Sequence, residues 1–187
     1  MGKPSRPHPS SLKGKLLLAA PTMEDSLFER SVIIITAHTL SKGAKGLILN
    51  KPMERSIAEL TGEAPDIPAE LSGVEVFHGG PVEQDELNIC AFTSRNKRLF
   101  YRTKIERLEA LSLIQTPGSL IRCFAGHSAW EAGQLEQELV EGTWIILPSL
   151  ATLLGMAHDS SLWQLLLEHA SPLHALLSRA PKHSFFN

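Results

Sequence analysis

Apolar side chains fall in short blocks punctuated by glycine, proline and small polar residues. Gly14 to Ala20 (GKLLLAA) is an apolar strand stopped by Pro21, and Ser31 to Ala37 (SVIIITA) is rich in β-branched residues. The second block is continuous rather than alternating, the pattern of a central strand covered on both faces. Ser41, Lys42 and Gly43 suit a turn, which makes Gly46 to Asn50 (GLILN) the hairpin partner. Pro52 closes that strand because proline cannot donate to a ladder. Further extended segments are predicted at Val74 to Phe77, Leu87 to Phe92, Leu120 to Ala125 and Thr143 to Leu147.

Three segments carry capping-box spacing, a hydroxyl residue followed three places later by glutamate. Ser56 to Glu59 predicts a short helix over Ile57 to Leu60. Thr103 to Glu106 predicts a helix with Ile105, Leu108, Leu111 and Ile114 in one apolar stripe. Ser128 to Glu131 predicts a third, with Leu135 and Leu139 on its inner face and Gly142 at its C-terminal side. Gly62 to Ser72 reads as a surface connection. Beyond Pro148 helices are expected over Leu150 to Met156, Leu162 to Leu167 and Pro172 to Leu177. Strands in hairpin-like order, with helices inserted and then gathered at the end, predict an α+β fold with a mixed sheet.

Composition narrows the classes. A chain of 187 residues with 43% apolar and 20% charged side chains builds one core and one domain. Its net charge of −2 gives no global attraction to nucleic acid or anionic lipid. Cys90 and Cys123 show no zinc spacing and no disulfide framework, which favours reduced thiols in a cytoplasmic setting. No apolar run is long enough to span a bilayer, so no membrane partner is expected. Residues 1–13, with three prolines and three serines among the first twelve, are expected to form a disordered arm ahead of a single domain at 14–187.

Several motifs invite chemistry. Gly126-His-Ser-Ala-Trp130 lies between a strand and a helix, as a nucleophile elbow does, but Trp130 stands where that elbow needs a small residue. Ser128 is therefore read as a helix cap, and a hydrolase using Ser128 or Cys123 with His127 is a minor alternative. The histidines show no paired spacing, and neither a metal nor another cofactor is expected. Glu131, Glu136, Glu138 and Glu141 form an acidic cluster, read as a solvated face or, alternatively, as groups holding Gln134 or a backbone turn in a cleft. His78-Gly79-Gly80-Pro81 makes a tight turn whose amides could also cradle an anion. The basic run from Arg95 to Lys104, with Phe100 and Tyr101 inside it, fits a charged edge strand or, alternatively, a nucleic-acid contact.

Taken together, GKLLLAAPTMEDSLFERSVIII, GAKGLILNKP, VFHGGPV, FAGHSAWEAGQLEQEL with GTWIILP, and a late LW resemble the YqgE/AlgH family of bacterial proteins from about Gly14 to Trp163. The resemblance implies an α+β fold whose mixed, mainly antiparallel sheet curls towards a barrel, with helices packed outside. It implies no reaction and no agreed active site, although members are often labelled transcriptional regulators. Ser128 departs from the family pattern, which weakens the serine hypothesis further.

These observations point to a non-catalytic protein that binds a small ligand or a protein partner. The expected surface joins the Pro21–Phe28 link, the Asn50-Lys51-Pro52 turn, the Gly79-Gly80 turn and the start of the helix after Trp130. Its candidate residues are Asp25, Asn50, Gly79, Gly80, Trp130, Gln134, Glu136 and Glu138, positions that the resemblance to the family singles out on segments of the kind where binding groups gather. Regulation through nucleic-acid contact at residues 95–104 is the alternative.

Overall fold

The two blocks of branched apolar residues become adjacent antiparallel strands, β1 (Lys15–Ala19) and β2 (Val32–Thr39), buried along most of their length. β2 turns through residues 40–42 into β3 (Gly43–Ile48), its predicted hairpin partner. This computed structural model describes residues 11–62 and 68–170, together with 173 and 176. The remaining strands are β4 (Pro52–Ser56), β5 (Glu75–His78), β6 (Val82–Arg95), β7 (Arg98–Arg102), β8 (Ser119–Trp130) and β9 (Trp144–Pro148). Helices α1 (Ile57–Thr61), α2 (Ala69–Ser72), α3 (Arg107–Ile114), α4 (Gln134–Val140) and α5 (Ser160–Ala170) are joined by a 3-10 turn at Ala151–Gly155.

The strands form one mixed sheet in the order β4-β5-β8-β3-β2-β1-β9, with β6 against β8 and β7 against β6. Only β5 and β8 run parallel; the other pairs are antiparallel. The sheet is not closed into a barrel, since its path ends on β4 and β9. β8 is the shared strand. Its first half lies between β5 and β6, with Cys123 opposite both Val76 and Ile89, and its last residues pair with β3.

Alternation along β2 divides the core. Val32 and Ile34 join Leu16, Leu47, Phe77, Cys90, Phe92 and Phe124 inside the curl of the sheet. Leu162, Trp163, Leu166 and Leu167 of α5 plug that interior, so this helix is not one of those packed outside. Ile33 and Ile35 face the other way, against Trp130, Leu135 and Trp144 under α4. A third cluster lies between α1–α3 and the outer face of β5, β6 and β8. No described helix is long and apolar enough to cross a membrane.

Several local expectations are corrected. β8 does not stop at Ala125 but runs on through Ser128 to Trp130, because Gly126 takes φ 70° and lets the strand continue past β6 towards β3. α4 accordingly starts at Gln134 after a left-handed Gly133, and Ser128 caps nothing. The capping box at Thr103 does not form: the Ile105 N–H donates to the Ile89 carbonyl, which ties the chain to β6 before α3 begins. Of the predicted stripe Ile105, Leu111 and Ile114 pack inward together with Ala110, and only Leu108, 81% exposed, falls outside it.

Pro52 opens β4 opposite Phe77 rather than ending β3, the position at the start of a strand where its missing donor matters least. The segment before β5 is not all surface loop, for α2 buries Leu71 completely. The capping box at Ser56 forms as predicted. Of the expected arm, residues 1–10 lie outside the described residues, whereas Leu12 is buried against the core under α4. The predicted helix at Pro172 to Leu177 lies outside them too, except for Leu173 and Leu176, which are helical.

Candidate ligand-binding site

Of the four segments named from the sequence, the Pro21–Phe28 link and the Asn50-Lys51-Pro52 turn are joined by hydrogen bonds. Asn50 accepts from the Val32 N–H at 2.8 Å and donates to the Arg30 carbonyl at 2.9 Å, pinning the link before β2. The Lys51 ammonium donates to the Leu27 and Ser26 carbonyls of that link. Burial lowers its pKa, opposed by the nearby Glu29 and Asp25. Asp25 accepts from the Leu27 N–H in a local turn. The link also places Phe28 edge-on to Trp144, which stands edge-on to Trp130.

Glu138 binds both indoles. One carboxylate oxygen accepts from Trp130 Nε1 at 2.8 Å and from Trp144 Nε1 at 2.6 Å. The other accepts from Gln134 Nε2, whose own carbonyl caps the Glu131 N–H. Glu138 therefore holds Gln134, and Gln134 a backbone turn, while Trp130 belongs to β8 and not to the helix. Glu136 meets His38 Nε2 at 2.6 Å. Because His38 Nδ1 accepts from the Leu12 N–H, the ring proton must sit on Nε2 and point at Glu136. Asn50, Trp130, Glu136 and Glu138 thus fix one element on another, while Asp25 and Gln134 shape their own turns.

The two glycines act through close approach. A Cβ on Gly79 would lie 2.2 Å from the Gly126 oxygen, and one on Gly80, at φ 148°, would lie 2.3 Å from the His127 carbonyl carbon. Only glycine lets the β5–β6 turn pass so near β8. Ser128 is fully buried, and its hydroxyl donates to the Gly79 carbonyl at 3.2 Å. Successive residues of a strand face opposite ways, so Ser128 and His127 do not form a pair. Burial pushes the thiols of Cys90 and Cys123 up to about 12, which leaves them protonated and inert at neutral pH.

The cavity that does offer itself lies elsewhere. It encloses about 190 Å³ over the face of β8, between β3 on one side and β6 with the link after β7 on the other. Leu47 and Cys90 line it from the apolar interior, and Lys45, Asn88, Thr103, Lys104 and His127 supply polar groups. Alternation puts Lys45 and Leu47 of β3 on one face, and Asn88 and Cys90 of β6 on another that meets it.

Backbone irregularities gather at this rim. β2 is bulged between Ile35 and Ala37, and β6 and β8 slip register between Val82 and Leu87. Glu83 and Lys104 both take φ 55°, a left-handed conformation that costs a side-chain-bearing residue about 1–3 kcal/mol.

Its electrostatics are mixed in a definite order. Lys45 makes no ion pair among the described residues. Lys104 faces Glu86 at 3.6 Å, with both side chains more than half exposed. His127 Nδ1 lies 3.4 Å from a Glu83 oxygen. Burial lowers the His127 pKa first, Lys45 and Lys104 push the same way, and Glu83 and Glu86 oppose them.

Of these residues the sequence singled out His127 and, within the basic run, Lys104. It missed Lys45 and Asn88. The available signal was one lysine inside an otherwise apolar strand, GAKGLIL; nothing local marked Asn88. A smaller cavity of about 90 Å³ beneath α1–α3 is lined mainly by Ile57, Leu71, Leu87, Ile89 and Cys123. No cluster of potential metal ligands occurs among the described residues.

Known proteins share this architecture. A protein from Corynebacterium diphtheriae superposes with a TM-score of 0.67 at 26% identity, covering 94% of this chain and 95% of its own. The solution structure of AlgH from Pseudomonas aeruginosa gives 0.65 at 26% identity, covering 95% and 98%. In sequence, a UPF0301 protein of Thermobifida fusca is 31% identical over 195 residues, spanning 95% of this chain and 96% of the relative. One from Alcanivorax borkumensis is 36% identical over 151 residues, spanning 75% and 79%. With residues 16–173 matching the family described as AlgH-like (DUF179), the chain belongs to that family of uncharacterised function.

Proposed function

We propose that this protein is a non-catalytic ligand-binding protein whose ligand sits in the cavity over β8. The observation that carries the reading is the cavity itself: an apolar floor at Leu47 and Cys90 under convergent polar groups from β3, β6, β8 and the Thr103–Lys104 link. The neighbouring nucleophiles are poorly disposed for chemistry, since Ser128 is bonded to a carbonyl and both thiols are pushed to about 12. In this reading Asp25, Asn50, Gly79, Gly80, Trp130, Gln134, Glu136 and Glu138 frame the site. They hold the links, α4 and β8 in the register that sets His127 opposite Val82 and Lys45 opposite Ala129. A cytoplasmic location is part of the proposal and rests on two buried, unpaired thiols.

The test is a fragment screen followed by amide correlation spectra of the full chain. Binders should perturb Lys45, Leu47, Asn88 and His127 together. A screen whose hits all map elsewhere, or which yields none, ends the reading.

One observation favours a second reading, regulation through nucleic acid. Along β7, Leu99 and Tyr101 pack inward, which turns Arg98, Phe100 and Arg102 outward as a row, and Phe100 is 50% exposed. A ring between two cations suits stacking on a single strand. Arg102 is already paired with Glu109, which weakens the row. Fluorescence anisotropy with a single-stranded oligonucleotide at low salt decides: binding should fall steeply with added salt, and no binding removes the reading.

A further inference from the structure

We infer that the cavity over β8 takes a small anion, a compact molecule carrying one carboxylate or phosphate, an assignment that rests on the cavity being the ligand site proposed above. Lys45 on β3 and Lys104 on the link after β7 reach it from either side of β8, the strand that separates β3 from β6. An anionic group between them meets two ammonium ions. Neither lysine is committed elsewhere by a strong contact. Lys45 has no ion pair among the described residues, and the 3.6 Å pair of Lys104 with Glu86 is solvent-exposed and weak.

The rest of the lining fits the same guest. Asn88 is buried, and the only hydrogen bond its amide makes among the described residues is a long 3.5 Å contact to the Glu86 carbonyl, so it can reorient towards a ligand. The imidazole of His127, held neutral near pH 7 by burial and the two lysines, adds a hydrogen-bonding group and not a third charge. The Lys104 backbone takes the left-handed conformation while its amide faces the Cys90 sulfur, which fixes where the lysine leaves the chain.

Size and rim charge restrict the guest further. About 190 Å³ over Leu47 and Cys90 leaves room for a short carbon body. Glu83 and Glu86 stand outside the lining, beside His127 and Lys104. A polyanion would have to lie across those carboxylates, whereas a small anion passes between them. A cation would face the lysines inside.

The experiment titrates the isotope-labelled full chain, at low ionic strength, with two matched pairs: butanoate against butanamide, and glycerol 3-phosphate against glycerol. In at least one pair the charged member should bind about tenfold tighter or more than its neutral partner, the gain expected from an ammonium contact near the surface. Its shifts should centre on Lys45, Asn88, Lys104 and His127. Lys45→Gln and Lys104→Gln should each weaken it by about tenfold while leaving the melting temperature unchanged. The pair that responds tells carboxylate from phosphate.

Equal binding of charged and neutral members overturns the anion assignment but leaves a ligand site standing. So does affinity that is indifferent to both lysine substitutions. If none of the four compounds perturbs the cavity, the anion assignment is lost, and the fragment screen separately decides whether the ligand-binding reading is lost with it.

Discussion

The region under α4 and the cavity over β8 meet the last residues of the same strand, at Trp130 and His127, yet they use polar residues in opposite ways. Under α4, Glu138 accepts from two indoles and a glutamine amide, and Gln134 turns its carbonyl to a backbone N–H. The Glu138 carboxylate is satisfied by these three donors, whereas Glu136 Oε2 on the same helix is buried with no hydrogen-bond partner among the described residues. Over the cavity, Lys45 has no ion pair among the described residues, Lys104 is weakly paired, Asn88 is loosely held, and two residues with side chains occupy left-handed backbone. Unspent charge and stored strain are the signature of a surface awaiting something else. A dense polar motif can therefore be largely occupied with structure, while sparse polar residues on adjacent strands carry the binding potential.

The comparison can be broken most severely at the turn that couples the two regions. Gly80→Ala would drive a Cβ into the His127–Ser128 peptide, with backbone on both sides and little freedom to yield. Overpacking together with the positive φ should cost about 3 kcal/mol or more, seen as a large fall in the denaturation midpoint. A variant as stable as the parent would mean that β8 is not pinned there. Glu138→Ala comes next. It strands the indole N–H groups of Trp130 and Trp144, and hydrogen bonds to a charged acceptor are worth about 1.5–3 kcal/mol each, so a loss near 3 kcal/mol is expected. Tryptophan fluorescence should shift in parallel. A loss below about 0.5 kcal/mol would show that the clamp does not hold α4.

How much of this was legible follows from what sequence encodes locally. Continuous apolar runs at β1 and β2, the hairpin at Gly43 and the capping box at Ser56 are local events, and they stand where the pattern placed them. Ser128-Ala-Trp-Glu131 has the same spacing as Ser56 to Glu59, yet it is strand. The difference is tertiary: β3 offers partners to Ser128, Ala129 and Trp130, and that pairing outweighs a cap. Thr103 to Glu106 loses its cap for a similar reason, the Ile105 amide being claimed by β6. Pairing across β8 also explains the missed residues. Lys45 and Asn88 lie far apart in the chain and meet only because β3 and β6 flank one strand. The acidic residues Glu136, Glu138 and Glu141 did advertise themselves, and they bind the protein's own side chains: Glu138 two tryptophans, Glu136 His38 and Glu141 Gln137.

Acid should separate the regions without mutation. In the unfolded chain His127 titrates near its ordinary value of about 6.5, whereas in the folded protein its pKa is lowered, chiefly by burial. The folded state thus prefers the neutral ring. Its contribution to stability is full above about pH 6.5 and is lost as pH falls through the lowered value. His158, also buried and lowered, acts in the same direction. Denaturation midpoints measured from pH 8 to pH 5 should therefore decline more in the parent than in His127→Gln, the difference isolating this ring from His158. Anion affinity should move the other way. Protonation adds a third cation beside Lys45 and Lys104, only partly offset by Glu83 and Glu86, so binding should strengthen as stability falls. Parallel trends would argue that the cavity is ordinary packing.

The smallest expected effect is also the most selective. Ser56→Ala removes a hydroxyl that accepts from the Glu59 N–H and a partner of its carboxylate, and should cost about 1 kcal/mol, as a formed cap does. Thr103→Ala changes a residue with the same capping-box spacing that caps nothing and lines the cavity. It should alter stability by less than about 0.5 kcal/mol, the range of surface substitutions away from structural features. Any effect should appear instead in the affinity for the charged probe. Equal stability losses in the two variants would show that Thr103 serves α3 after all. An unaltered affinity would confine the cavity's polar contacts to Lys45, Asn88, Lys104 and His127. Residues built into the frame register in the denaturation midpoint; of those that line the cavity, Lys45, Thr103 and Lys104 should register only when something occupies it.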